Sequence, residues 1–208
     1  MAIKRAKTFN DAQFKRLIGH IEATSPVPIR DKLIVALSFK AGLRVGEIAK
    51  IKISAMTDVS GGIAKQINIF SDVGKKQRMR DIPMNSFVKE CLVEFRKAYP
   101  TCPFVAFSTQ PFRWKLVRGQ GIPQNAEFKQ MSPEALKTYY LAMLKEFGFE
   151  GASTHSGRRT FGTELARRAN SFHCSLRDVQ QLMGHARMET TELYIELSED
   201  ASSLVESL

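Results

Sequence analysis

The spacing of apolar residues most constrains what this 208-residue chain can fold into. Apolar residues recur at three- and four-residue steps after Asn10, from about Ile29 and after Ser132, and this spacing predicts amphipathic helices. Between residues 61 and 84 they alternate instead, around a turn at residues 72–74, which predicts a β-hairpin. The pattern therefore predicts an α+β fold that is mainly helical, with a small antiparallel β-sheet.

Capping residues predict where several of these helices begin and end. Gly42 is expected to end the second helix by adopting a left-handed backbone, and Asn85 is expected to cap the helix that follows the hairpin. Ser175 with Asp178 resembles a capping box, and Gly184 is expected to turn the chain after that helix. Local chemistry thus predicts the element boundaries independently of the core.

The cysteines and the N-terminal segment indicate what the chain lacks. Cys91, Cys102 and Cys174 are odd in number and form no C-x-x-C pair, so neither a disulfide framework nor a metal site is expected. No apolar run reaches the roughly 18 residues of a membrane-spanning helix. Residues 1–7 also lack the apolar stretch of a signal peptide, so we expect a cytoplasmic protein without a membrane partner.

The charge of the chain indicates a polyanionic partner. Lys and Arg number 31 against 21 Asp and Glu, which gives a formal net charge of +10. Such an excess attracts phosphates and accelerates association with nucleic acid, although a merely soluble basic protein has the same composition.

Two basic clusters are candidate DNA contacts. The first lies at or near the tip of the predicted hairpin, and the second lies in the irregular segment between residues 101 and 130. A cluster on a hairpin is more commonly a solvated edge that discourages aggregation, and a long loop is more often functional or mobile than idle. The hairpin cations are Lys75, Lys76, Arg78 and Arg80, and the loop cations are Arg113, Lys115 and Arg118.

The segment from Ser153 to Glu196 holds the densest set of reactive side chains. His155 and Arg158 are predicted near the start of a helix, where an imidazole, a guanidinium and free backbone N–H groups favour an anion. His185 follows Gly184, and Tyr194 lies on a last short helix. Each residue has an ordinary structural explanation, such as capping or packing, but together they favour phosphoryl transfer without a metal.

Four stretches of this sequence resemble the catalytic domain of the tyrosine recombinases, the phage integrase family. They are AGLRVGEIAKI, GKKQRMRDIPM, HSGRRTFGTELA and LMGHARMETTELYIE. The last is the most specific, because L-x-G-H is followed nine residues later by Tyr in a T-T-x-x-Y context. The HSGRRT stretch departs from the commoner H-x-L-R-H of the family and adds Arg159 as a candidate DNA contact.

The resemblance implies a role for each matching residue. Tyr194 would be the nucleophile and His155 the base that takes its proton, while Lys75 would protonate the departing 5′ oxygen. Lys75 is favoured over Lys76 because it lies eight residues before Pro83. The residues implied to bind the phosphate are Arg44, Arg158 and His185, with Glu47 supporting Arg44. Without the resemblance, Arg44 and Glu47 would be interpreted as a surface pair worth a few tenths of a kcal/mol.

The resemblance also implies the activity and its partners. We expect a site-specific recombinase that cleaves and rejoins double-stranded DNA through a 3′-phosphotyrosyl intermediate, without metal, ATP or another cofactor. A type IB topoisomerase-like enzyme and a non-catalytic DNA-binding regulator are the alternatives. The expected assembly is a homotetramer on paired DNA sites, formed from monomers free in solution, with accessory DNA-bending proteins as further partners.

The implied domain organisation is a single catalytic domain over residues 1–208, without the N-terminal core-binding domain of typical members. The tail, residues 197–208, is expected to pass to a neighbouring protomer, with folding back onto its own domain or disorder as the alternatives. The expected location is at the nucleoid, or in the host cytoplasm if a phage encodes the protein.

Overall fold

The computed structural model of the protein describes residues 6–70, 79–110, 127–185 and 187–192. Contacts within the chain divide it into two compact units, Met1–Phe161 and Gly162–Leu208. The α-helices of the described residues are α1 (Asp11–Thr24), α2 (Pro28–Lys40), α3 (Val45–Lys50), α4 (Ser86–Ala98), α5 (Pro133–Glu146), α6 (Ser156–Arg168), α7 (Leu176–Met183) and α8 (Met188–Glu192). Short 3-10 helices cover Ile53–Met56 and Asn170–Phe172.

The helix starts follow the capping residues of the sequence. Asn10 accepts a hydrogen bond from the N–H of Gln13, and the Gln13 side chain accepts one from the N–H of Asn10. Ser132 caps α5 in the same way, through the N–H of Ala135, and Pro133 occupies the first helical position. Asn85 accepts from the N–H of Phe87 at the start of α4. The predictions for these three helix starts are confirmed.

Helix α2 is the centre of the first unit. Nine of its thirteen residues are buried, far more than a single apolar stripe would give. Because it is enclosed on several sides, α1, α3 and α4 all pack against it. Gly42 follows it with a φ of 65°, as predicted from its position after the last apolar turn.

A two-stranded antiparallel sheet forms the hairpin. Strand β1 (Gln66–Ile69) pairs with β2 (Arg80–Pro83), so that Ile67 lies opposite Ile82 and Ile69 lies opposite Arg80. The predicted fold class is confirmed, with shorter strands than the alternation suggested. In the segment that follows α4, Phe104 and Phe107 form isolated antiparallel bridges to Lys52 and Gln130.

A buried polar cluster, which the sequence patterns did not predict, ties the first unit together. The Arg30 side chain is 1% exposed, donates to Asp31 Oδ1 at 2.8 Å, and donates to the carbonyl oxygen of Phe107 at 2.8 Å. Its guanidinium lies 4.8 Å from the ring centroid of Tyr139, whose hydroxyl donates to Asp31 Oδ2. Burial and the negative charge of Asp31 raise the pKa of the Tyr139 phenol. The cluster therefore joins α2 to α5 and to the segment at residue 107.

Within the residues that the structure describes, no helix combines the length and the apolar character that a membrane crossing requires.

The Asp31→Ala variant tests the energetic weight of this cluster. Removing the carboxylate leaves the Arg30 charge buried without its ion-pair partner, so we expect the free energy of unfolding to fall by about 3–5 kcal/mol. Urea denaturation measures it. Glu22→Ala is the matched control, because Glu22 pairs with Lys32 at the surface, and it should cost less than about 1 kcal/mol. Equal losses in the two variants would contradict a structural role for the cluster.

Candidate active site

A cleft of about 680 Å³ lies in the first unit, between the start of α3, the first turns of α5 and the residues that precede α6. Its lining brings together three of the predicted site residues, Arg44, Glu47 and His155. Lys50, Lys137 and Glu134 also line it, so three cationic side chains face two carboxylates. Segments about one hundred residues apart in the sequence thus form one surface.

Arg44 is held at the N-terminus of α3 by a buried carboxylate. The Arg44 backbone N–H donates to Glu47 Oε2 at 2.8 Å, and the guanidinium donates to Glu47 Oε1 at 2.9 Å. The Glu47 side chain is 2% exposed and that of Arg44 is 28% exposed. The pair therefore differs from an ordinary surface ion pair, because its carboxylate is almost fully buried while the arginine is partly exposed at the cleft.

Glu47 has a second partner, Arg80, on β2. The two terminal nitrogens of Arg80 donate to the two oxygens of Glu47 at 3.0 and 2.8 Å, and the Arg80 side chain is 7% exposed. Arg80 was predicted to be one of the DNA contacts at or near the hairpin tip. The structure corrects its orientation: Arg80 pairs with Ile69 at the loop end of the two strands, but it alternates with buried Ile82, so its side chain points inward to Glu47.

The two arginines keep Glu47 ionised. Burial alone would raise the pKa of this carboxyl group, but the hydrogen bonds and charge of Arg80, followed by those of Arg44, outweigh burial and lower it. A lowered pKa means that the ionised carboxylate stabilises the fold at neutral pH, and that this contribution is lost as the pH falls through the lowered value. At neutral pH the three side chains together carry one net positive charge.

His155 lies in a turn of hydroxyl residues at the start of α6. The Ser153 hydroxyl accepts from the His155 N–H at 3.2 Å, and the Thr154 hydroxyl lies 3.3 Å from His155 Nδ1. The Ser156 hydroxyl accepts from the Ser153 N–H at 2.9 Å. These bonds fix the backbone, while the His155 side chain stays exposed where it lines the cleft.

Arg158 is anchored to the turn that leads into Arg44. Its side chain is buried, and one terminal nitrogen donates to the carbonyl oxygen of Gly42 at 2.6 Å. A Cβ on Gly42 would lie 2.3 Å from the ring of Phe161, so this position requires glycine for space as well as for its positive φ. The structure therefore places Arg158 and Arg44 on neighbouring backbone segments.

Gly157 allows α6 to approach α2. A Cβ at this position would lie 2.3 Å from the hydroxyl oxygen of Ser38 and 2.7 Å from the ring of Phe39. The two helices thus touch at Gly157, between His155 and Arg158. This contact gives a packing reason for the glycine of the HSGRRT stretch.

The second unit holds His185. Ser175 and Asp178 form the predicted capping box of α7, and Gly184 ends the helix with a φ of 61°, as expected. The His185 side chain is buried, and its Nδ1 lies 2.9 Å from the hydroxyl of fully buried Thr191. Thr191 therefore fixes the orientation of the imidazole, a role that no sequence pattern predicted.

Several predicted residues lie outside the described ranges and stay predictions: Lys75, Lys76, Arg78, Arg113, Lys115, Arg118, Tyr194 and the tail at residues 197–208. Arg159 is half-buried, and its Nε is buried without a hydrogen-bond partner among the described residues. Over those same residues, no group of three or more His, Cys, Asp or Glu side chains is arranged to hold a metal ion.

The Gly157→Ala variant tests the close approach of α6 to α2. The added methyl group collides with Ser38 and Phe39, so we expect a loss of about 1–3 kcal/mol in the free energy of unfolding. Gly19→Ala is the matched control, because Gly19 lies inside α1 with nothing within 4 Å of its added Cβ. It should be stabilising by about 0.5–1 kcal/mol. Thermal unfolding of both variants measures the difference, and stabilisation by both would contradict the contact.

Comparison with known proteins gives the family context of this site. The family model described as the phage integrase family matches residues 7–200. Tyrosine recombinase XerD of Listeria innocua is 26% identical over 190 residues, which are 90% of this chain and 57% of that protein. Tyrosine recombinase XerC of a Methylobacterium species is 30% identical over 166 residues, 79% of this chain and 45% of that protein. The chain therefore spans about half the length of these relatives.

A solved structure agrees with the fold. The crystal structure of the XerH site-specific recombinase, in a pre-cleavage complex with its difH substrate, superposes with a TM-score of 0.63. The match covers 100% of this chain and 55% of that one at 19% sequence identity, so it concerns the fold alone.

Proposed function

Because the chain belongs to the phage integrase family, we propose that it is a tyrosine-type site-specific recombinase that cleaves and rejoins double-stranded DNA. The observation that carries the proposal is the cleft itself. It unites Arg44, Glu47 and His155, while Arg158 is bonded to the turn immediately before Arg44. Two arginines and an exposed imidazole are suited to stabilise the negative charge of the transition state in which a phosphodiester is cleaved.

The chemistry follows from these residue types. The Tyr194 oxygen attacks the phosphorus, forming a tyrosyl ester as the bond from phosphorus to the 5′ oxygen breaks. A phenol with a pKa near ~10 is a weak nucleophile at neutral pH, so His155 takes its proton during the attack. The departing 5′ oxygen receives a proton from Lys75. The ester then holds the 3′ end of the cleaved strand.

The cations of the site bind the charge that develops on the non-bridging oxygens. Arg44, Arg158 and His185 take this role, and each donor contributes ~3 kcal/mol by analogy with oxyanion-hole deletions. Such donors act best when their orientation is fixed beforehand. The bond from Arg158 to Gly42 and the contact of His185 with Thr191 supply that fixation.

The proposed reaction needs no metal, ATP or other cofactor. The tyrosyl ester keeps the energy of the broken backbone bond, so a 5′ hydroxyl of another strand can attack it and restore the diester. We propose that the exchange takes place in a homotetramer on paired DNA sites, assembled from monomers. In this assembly the tail at residues 197–208 would pass to a neighbouring protomer. Accessory proteins would bend the DNA. Within each protomer, residues 1–208 would act as one catalytic domain.

Capture of covalent complexes tests the proposed function. The probe is a library of nicked duplexes with a randomised centre, from which a cleaved strand diffuses away and traps the ester. We expect a protein–DNA adduct that survives detergent and EDTA, and its loss in Tyr194→Phe while DNA binding persists. Tyr99→Phe is the matched control and should keep the adduct.

Each outcome separates the candidate functions. Sequence-selective DNA binding without an adduct would contradict the proposal and favour a regulator. An adduct that gives only loss of supercoils, with no new junctions in the products, would favour a topoisomerase.

A 5′-thio substrate tests the proposed acid. Sulfur leaves without protonation, so Lys75→Ala should slow cleavage of the ordinary substrate by roughly 100-fold or more and leave cleavage of the 5′-thio substrate nearly unchanged. Lys76→Ala is the neighbouring control and should affect both substrates alike. If Lys76→Ala gives the selective loss instead, the acid is Lys76.

A further inference from the structure

Arg44, Glu47 and Arg80 form a three-residue ion cluster, which we call the Glu47 cluster. Both oxygens of Glu47 accept from Arg80, at 3.0 and 2.8 Å, and both also accept from Arg44, at 2.9 and 2.8 Å. A carboxylate has about four acceptor positions, so these four bonds saturate it. The cluster thus contains one anion and two cations with no remaining acceptor on the anion.

The two arginines differ in what they face. The Arg44 side chain is 28% exposed and lines the cleft, whereas the Arg80 side chain is 7% exposed and is not part of the lining. Glu47 is 2% exposed, so water screens its charge weakly. The net positive charge of the cluster is therefore presented to the cleft through Arg44.

Arg80 changes what Glu47 does to Arg44. With Arg44 alone, the buried carboxylate would neutralise the guanidinium and reduce its attraction for a phosphate. With Arg80 bound through its forked nitrogens, the negative charge of Glu47 is balanced by a second cation, and the carboxylate only orients Arg44. A lysine would not reproduce this geometry, because one ammonium cannot bind both oxygens as a planar fork does.

We propose that Arg80 is a positioning residue that prevents Glu47 from neutralising Arg44, so that Arg44 keeps its charge for a DNA phosphate. This inference rests on the proposed function. It assigns Arg80 an effect on DNA without contact, from the loop end of the two strands, where it pairs opposite Ile69.

The salt dependence of DNA binding tests the inference. The logarithm of the binding constant falls against the logarithm of the salt concentration with a slope of about 0.9 per phosphate neutralised. Arg80→Gln should reduce this slope by about one phosphate equivalent, although the proposed role of Arg80 involves no contact with DNA. Adding Glu47→Gln should restore the slope, because the carboxylate that neutralises Arg44 is then gone. If Arg80 contacted a phosphate directly, Arg80→Gln would reduce the slope by the same amount, but adding Glu47→Gln would not restore it.

Single-turnover cleavage gives an independent readout with the unmodified protein, Arg80→Gln and the double variant. Arg80→Gln should slow adduct formation by about 10-fold, less than the roughly 100-fold loss of a direct donor. The double variant should regain most of this rate. If Arg80 serves only the stability of the fold, the double variant should be as slow as Arg80→Gln or slower, and the inference is overturned.

Controls keep the test decisive. If Arg80→Gln fails to fold, Glu47→Gln is compared with the double variant instead. A difference above about threefold in their DNA affinities, after correction for the salt dependence of each variant, would overturn the inference. Arg96→Gln is the matched arginine control, since Arg96 binds the carbonyl oxygen of Gly61 rather than Glu47, and Glu47→Gln should not compensate its effect.

Absence of any adduct with the unmodified protein would overturn the proposed function, while the salt slopes would still test Arg80.

Discussion

The hydrogen bond from Arg158 to the Gly42 carbonyl is the interaction on which the geometry of the first unit's site depends. It joins the first turn of α6 to the turn that ends α2, and Arg44 follows only two residues later. Two glycines make this approach feasible, because side chains at either position would occupy space already filled by Phe161 or by Phe39. The guanidiniums of two remote segments are thereby placed by backbone packing, before any ligand is present.

Charge balance in the interior complements this packing. A carboxylate buried as deeply as Glu47 is costly unless charged partners and hydrogen bonds compensate it, and a buried arginine such as Arg30 has the same requirement. The structure meets both needs with paired networks, Glu47 with two arginines and Arg30 with Asp31. In the first network the excess charge is positive and faces the cleft, which suits the binding of an anionic backbone.

The sequence predicted those parts of the fold that depend on neighbours in the chain. Caps such as Asn85 and Ser175, and the turn at Gly184, act over a few residues and appeared where expected. Arg80, the second partner of Glu47, lies 33 residues away, and the Phe107 carbonyl that Arg30 binds lies 77 residues away. No local pattern predicts such remote pairs. One signal was nevertheless present, since Arg80 alternates with Ile82, and this spacing places both on the inner face of the hairpin. The packing role of Gly157 could not be predicted either, because it depends on the contact of this glycine with α2.

The most direct measurement of the central claim is the identity of the amino acid that carries the DNA. After nuclease trimming and trypsin digestion of a trapped adduct, mass spectrometry should find the residual nucleotide on the peptide of residues 188–208, whose only tyrosine is Tyr194. A nucleotide attached to any other peptide, or to a serine of this one, would contradict the account.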